Sequence, residues 1–154
     1  VVAPDGREFI REFIRHPGAV VVIPILNSGR LLLERQYRHP LGKIFIEFPA
    51  GKLDSGEDAL SCGKRELEEE TGYRASDWRH LGVMHPCIGY SDERIEIFSA
   101  SGLSYVGHKW DDGEFLEFVE MDPVAAYKAV IDGHITDAKT IAALFWVQQV
   151  FGVC

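Results

Sequence analysis

No apolar run in the 154 residues of this chain approaches the roughly 20 that a membrane helix needs, and no signal peptide is visible. Cysteine is scarce. Cys62, Cys87 and Cys154 are odd in number and widely spaced, which argues against a disulfide framework and against a CxxC metal knuckle. Reduced thiols and a cytoplasmic location are the expectation. Positive charge is also short: 16 Lys and Arg stand against 24 Asp and Glu, a formal charge of −8. That balance argues against a surface for non-specific nucleic-acid binding, which needs a basic patch. It leaves room for a nucleotide substrate, because a metal can carry positive charge locally. Repeats, low-complexity tracts and linkers are absent as well. With 46% apolar residues the chain has enough material for a core, and residues 1–154 read as a single domain. It begins at Val1 and not at methionine, so a preceding segment is allowed for.

What is present reads as alternating strands and helices. Residues 1–15 suggest two short extended pieces joined at Asp5-Gly6, a ribbon suited to an interface or a plain edge. Residues 19–26 (AVVVIPIL) are β-branched and almost wholly apolar, the pattern of a strand buried on both faces. Asn27-Ser28-Gly29 is a hairpin turn, from which residues 30–37 are expected to return as the paired strand. A loop at residues 38–42 and a strand at 44–48 follow. Further strands are expected at 78–84, 95–100 and 114–119, with polar loops at 85–93 and 105–113 between them. Asp122-Pro123 opens a helix that ends near Gly133, and Thr136 or Asp137 caps a last helix to Phe151. In that helix Ile141, Leu144, Phe145 and Val147 are expected in the core.

The most informative stretch is residues 51–73, GKLDSGEDALSCGKRELEEETGY. Ser55 and Asp58 resemble a capping box, and Gly72 suits the left-handed position after a helix. Leu60, Gly63, Leu67 and Thr71 form a narrow stripe to face a sheet. Glu66, Glu69 and Glu70 stand at i, i+3 and i+4, so their carboxylates share one side of the helix. Like charges at that spacing cost roughly 0.2–0.5 kcal/mol per pair, and their place in the C-terminal half opposes the helix dipole. A hard divalent cation reverses that cost, since it takes oxygen ligands. The spacing therefore predicts a metal site on a helix.

From Gly51 the pattern runs Gly, five residues, Glu57, seven residues, then Arg65-Glu66-Leu67-Glu68-Glu69-Glu70-Thr71-Gly72-Tyr73. This resembles a complete Nudix box at every fixed position. The flanking QYRHPLGKIFIEFPAGKLDSGED, GYSDE and GHITDAKT are similar to the ADP-ribose pyrophosphatase branch of that superfamily. The resemblance covers the chain from about Arg7 onward, and it implies an α/β fold, an α/β/α sandwich with a central mixed sheet. It implies metal-dependent hydrolysis of a nucleoside diphosphate sugar, with ADP-ribose split to AMP and ribose 5-phosphate. Another such sugar, for example GDP-mannose, or a sensing domain without turnover are the alternatives.

Carried over by position, Glu66, Glu69 and Glu70 and the Ala50 carbonyl are the expected ligands of Mg2+ or Mn2+, with Glu69 also a catalytic candidate. Gly51, Glu57, Arg65 and Gly72 shape the motif, Glu57 by pairing with Arg65. Arg38 and Glu93 match substrate-binding positions, Arg38 being suited to a bidentate phosphate contact. Glu114 matches the position of a catalytic base, with Asp111 and Asp112 as competitors. In that branch the N-terminal strands cross to a partner subunit, so a homodimer is implied, with residues 1–15 as the dimerisation ribbon and Arg11 and Glu12 near the adenine. Trp110 and Tyr90 are candidates to stack on a base; His85, His108 and His134 lack ligand spacing.

Overall fold

A computed structural model describes residues 1–107 and 117–151 of the chain. Among the described residues, seven strands and three α-helices follow one another as β1 (Ala19–Pro24), β2 (Leu31–Arg38), β3 (Lys43–Glu47), β4 (Ala50–Lys52), α1 (Ala59–Thr71), β5 (Tyr73–Met84), β6 (Ile95–Tyr105), β7 (Glu117–Met121), α2 (Pro123–Ile131) and α3 (Ala138–Phe151). The strands form a mixed sheet of order β4-β1-β6-β5 and an antiparallel sheet of order β3-β2-β7. Only β1 and β6 run parallel in the first.

Strand β1 is the axis of the molecule, and its composition explains why. Val20 and Val22 pack towards α1 with Cys62, Leu67 and Phe98. Val21 and Ile23 point the other way, into a core shared with Leu31, Leu33, Phe48, Ala126, Leu144 and Val147. A strand that alternates between two cores must be apolar at every position, as residues 20–23 are. α1 covers one face and α3 the other, so the mixed sheet is the middle layer of an α/β/α sandwich.

Several expectations need correction. β2 does not pair along β1. After the turn a single bridge joins Ile25 to Leu31, and then β2 leaves for the second sheet. Both edges of β1 are already taken, by β4 and β6, and Pro24 has no N–H to offer a third partner. Asp58, not Ser55, caps α1: its carboxylate accepts from the N–H groups of Leu60 and Ser61 at 3.0 and 3.1 Å. β5 starts at Tyr73 rather than near residue 78, because Gly72, at φ 71°, turns the chain directly from helix to strand. In α3, Leu144 and Val147 are buried, but Ile141 and Phe145 are exposed; the helix buries a narrower face than its apolar content suggests.

Candidate active site

The turn before α1 brings the motif together. β4 lies antiparallel to β1, with Ala50 opposite Val21 and Gly51 opposite Val20. That pairing holds residues 50 and 51 beside the C-terminal half of α1. There Glu70, almost fully buried, accepts a hydrogen bond at 2.9 Å from the Ala50 N–H. Glycine at position 51 leaves room for the Glu66 carboxylate: a Cβ there would overlap it and displace that side chain. Residues 50 and 51 and the carboxylates of Glu66 and Glu70 thus belong to one β4–α1 junction.

Arg65 gathers most of the neighbouring acids. Its Nε and Nη2 donate to the two oxygens of Glu57 at 3.0 Å each, and its Nη1 donates to Glu66 at 2.8 Å and Glu69 at 3.0 Å. Nη2 also donates to the Lys52 carbonyl at 3.1 Å, tying the helix to β4. The hydrogen bonds from Arg65, with help from the Asp54 N–H, pull Glu57 down to about 2. The same Glu57 contact raises Arg65 above its ordinary value. So the like-charge strain expected on this helix edge is already offset by a central guanidinium. Beneath it, burial pushes the Cys62 thiol up to about 12, which keeps it protonated and unreactive.

The chemistry of this donor set fits a hard divalent cation: one carbonyl and three carboxylates, all oxygen. As the side chains stand, no three His, Cys, Asp or Glu residues among the described ones are gathered tightly enough to hold an ion. Glu66 and Glu69 face Arg65 instead, so a cation must compete with the guanidinium for them.

The remaining candidates are dispersed. Arg38, expected to offer a fork to phosphate, gives its Nε and Nη2 to the two oxygens of Glu47 at 2.9 and 2.6 Å. Glu93 lies 3.7 Å from His16, where the N-terminal segment docks on the 90–92 loop through Ile14 and Asp92. Tyr90, a stacking candidate, lends its carbonyl to the Ile14 N–H in that contact. Arg11 sits over the Phe9 ring at 5.1 Å and Glu12 is exposed; neither contacts the motif among the described residues. Glu114, with Trp110, Asp111 and Asp112, lies outside the described residues.

Two acids and a lysine escaped the reading of the sequence. Glu47, 1% exposed, joins Arg38 to Lys139, and Lys139 also reaches Asp137 at 3.0 Å. Burial alone would raise Glu47, but the hydrogen bond from Arg38 and the charge of Lys139 outweigh it and hold it below the usual carboxylate range. Glu34 is buried directly across from Glu47 in the β2–β3 register. The only hint in the sequence was an acid inside the apolar run IFIEF.

Comparison with known proteins gives consistent results. The NUDIX domain family matches residues 15–144. An ADP-ribose pyrophosphatase of Bacillus subtilis (strain 168) is 37% identical over 96% of this chain and 81% of its own length. A methanol dehydrogenase activator of Bacillus methanolicus is 39% identical over the same shares. A crystal structure of an ADP compounds hydrolase superposes with a TM-score of 0.87 at 26% identity, over 97% of this chain and 81% of that one.

Proposed function

The chain belongs to the NUDIX domain family, and from that premise we propose that it hydrolyses a nucleoside diphosphate sugar, ADP-ribose, to AMP and ribose 5-phosphate. The observation that carries this reading is the β4–α1 junction, where Glu70 accepts from the Ala50 N–H and the Glu66 carboxylate lies against Gly51. The ADP-ribose pyrophosphatase among its relatives supports the choice of substrate.

In this reading Ala50, Glu66, Glu69 and Glu70 hold Mg2+, with Mn2+ able to replace it. A metal held there would supply charge neutralisation at the diphosphate and a more acidic bound water. The protein's own residues do the rest. Glu57 and Lys52, through Arg65, fix the helix against β4, so the carboxylates are held by regular structure rather than by a loop. Arg38 presents its remaining N–H groups to a phosphate, Glu93 lines the substrate path, and Glu114 accepts the proton of the attacking water. Residues 1–15, with Ile10, Phe13 and Ile14 more than half exposed, form the dimerisation ribbon of a cytoplasmic homodimer, which brings Arg11 and Glu12 to the partner's adenine site.

The test is release of AMP from ADP-ribose by the full chain, with and without Mg2+, beside a panel of other nucleoside diphosphate sugars. Turnover that needs the metal and prefers ADP-ribose is expected. Tight binding without turnover would mean a sensor, and preference for a non-adenine sugar would overturn the substrate assignment.

A further inference from the structure

The Arg38–Glu47 pair is unequal in exposure. The Glu47 side chain is 2% exposed and that of Arg38 is 41% exposed. Glu47 takes Nε and Nη2, and among the described residues Nη1 donates no hydrogen bond. The guanidinium is therefore anchored along one edge and open along the other. Beside it lies a pocket of about 310 Å³, with Pro40, Leu41 and Phe45 as its apolar side. Lys139 closes the arrangement from the first turn of α3. Its Nζ bonds the same Glu47 oxygen that Arg38 Nη2 uses, and Asp137 grips Lys139 and the Thr140 N–H together at 3.0 and 2.9 Å. Next to Glu47, Thr140 Oγ1 accepts the Phe48 N–H at 2.9 Å.

We propose that Lys139 is a positioning residue for substrate binding, holding Glu47 so that Glu47 fixes the open edge of Arg38 towards the diphosphate. This rests on the reading that Arg38 contacts a phosphate. The physical reason is charge sharing. Lys139 takes up part of the charge on the Glu47 Oε2 that Arg38 Nη2 also uses, so the carboxylate is held from two sides and the Arg38 fork, with Nε on Oε1, keeps one direction. Lys139 comes from a position 92 residues beyond Glu47 and lines the same pocket as Arg38, so α3 would act on affinity through Glu47.

The experiment is a double-mutant cycle on the full chain with ADP-ribose and Mg2+, using Arg38→Gln, Lys139→Met and the pair, with Lys139→Arg as rescue. Lys139→Met should raise KM roughly five- to tenfold and leave kcat within about twofold, as expected for loss of uniform binding. Lys139→Arg should restore KM. In the Arg38→Gln background, Lys139→Met should add nothing. If Lys139→Met does not fold, Lys139→Gln, which keeps a donor for Glu47, carries the same test. Equal effects of Lys139→Met with and without Arg38, or a change in kcat alone, would overturn the proposal. If Arg38→Gln raises KM and Lys139→Met does not, only this inference fails. If Arg38→Gln leaves KM unchanged, the phosphate role of Arg38 fails, and this inference with it.

Discussion

Around Arg65 nearly every partner comes from residues 52–69 of the chain, whereas Glu47 joins Arg38, 9 positions away, to Lys139, 92 positions away. Both clusters place buried or half-buried carboxylates against more than one cationic or N–H donor. The first is a local device: a strand, a turn and one helix suffice to build it. The second needs β2, β3 and α3 to be assembled before any of its contacts exist. Local spacing can encode the chemistry of a metal site, while the placement of a substrate arginine is a property of the finished fold.

The sharpest way to break this contrast is to remove the carboxylates at the β4–α1 junction. Glu66→Gln and Glu70→Gln should each lower turnover by roughly 10²–10³-fold, since the interaction removed is worth several kcal/mol in the transition state. Circular dichroism and the thermal midpoint should change little for Glu66→Gln, whose neighbour Arg65 keeps Glu57 and Glu69. Unchanged rates at limiting Mg2+ would remove these residues as ligands.

Thr140→Val probes the other region. It keeps the shape of a fully buried side chain but leaves the Phe48 N–H without its acceptor, at a cost of about 1–3 kcal/mol in unfolding experiments. If the two regions are coupled through residues 47–50, KM should rise as well, because the anchor of Arg38 and the Ala50 carbonyl share that segment. A fall in stability with unchanged kinetics would show the regions to be independent.

How much could be read in advance follows the same division. The α1 stripe, the left-handed Gly72 and the buried character of β1 were legible, because each depends on residues within a few turns of one another. The hairpin expected between β1 and β2 was not, because its turn is real and only the competition from β4 and β6 sends β2 elsewhere. Phe145 and Ile141 look like core residues by periodicity, but which face of α3 is covered depends on α2 and the sheet. Lys139 carries no mark in the sequence that separates it from surface charges, and for Glu47 the one mark is its place in the apolar run IFIEF.

A smaller effect sharpens the local side of the contrast through pH. Glu57 sits at about 2 in the folded protein, below its ordinary value, because Arg65 and the Asp54 N–H hydrogen-bond the ionised form. A depressed carboxylate contributes stability that is fully present above its unfolded value and is lost as pH falls through the folded one. The wild type should therefore lose stability between the ordinary carboxylate range and about pH 2. Glu57→Gln should flatten part of that decline in acid-unfolding curves, with KM for substrate unchanged near neutral pH. A pH profile identical to the wild type would show that the Glu57–Arg65 contact does not hold the motif.

The smallest effect distinguishes two readings of where α1 begins. If Ser55 capped the helix, as the spacing to Asp58 suggests, Ser55→Ala would lower the thermal midpoint and Asp58→Ala would matter less. The structure reverses this. Asp58 Oδ1 accepts from the Leu60 and Ser61 N–H groups, and its Oδ2 accepts from the Ser61 hydroxyl at 2.6 Å, so it serves the first turn alone. Residues 53–58 are then free to carry Glu57 back towards Arg65, with the Asp54 N–H reaching Glu57 at 3.0 Å. A helix begun at Ser55 would take Glu57 into its first turn and remove that return path. Asp58→Ala should accordingly lower the midpoint by a few degrees and Ser55→Ala by less, with turnover kept in both because the carboxylates lie two turns further on. A larger loss from Ser55→Ala would place the start of the helix, and with it the route by which Glu57 reaches Arg65, where the sequence alone had put it.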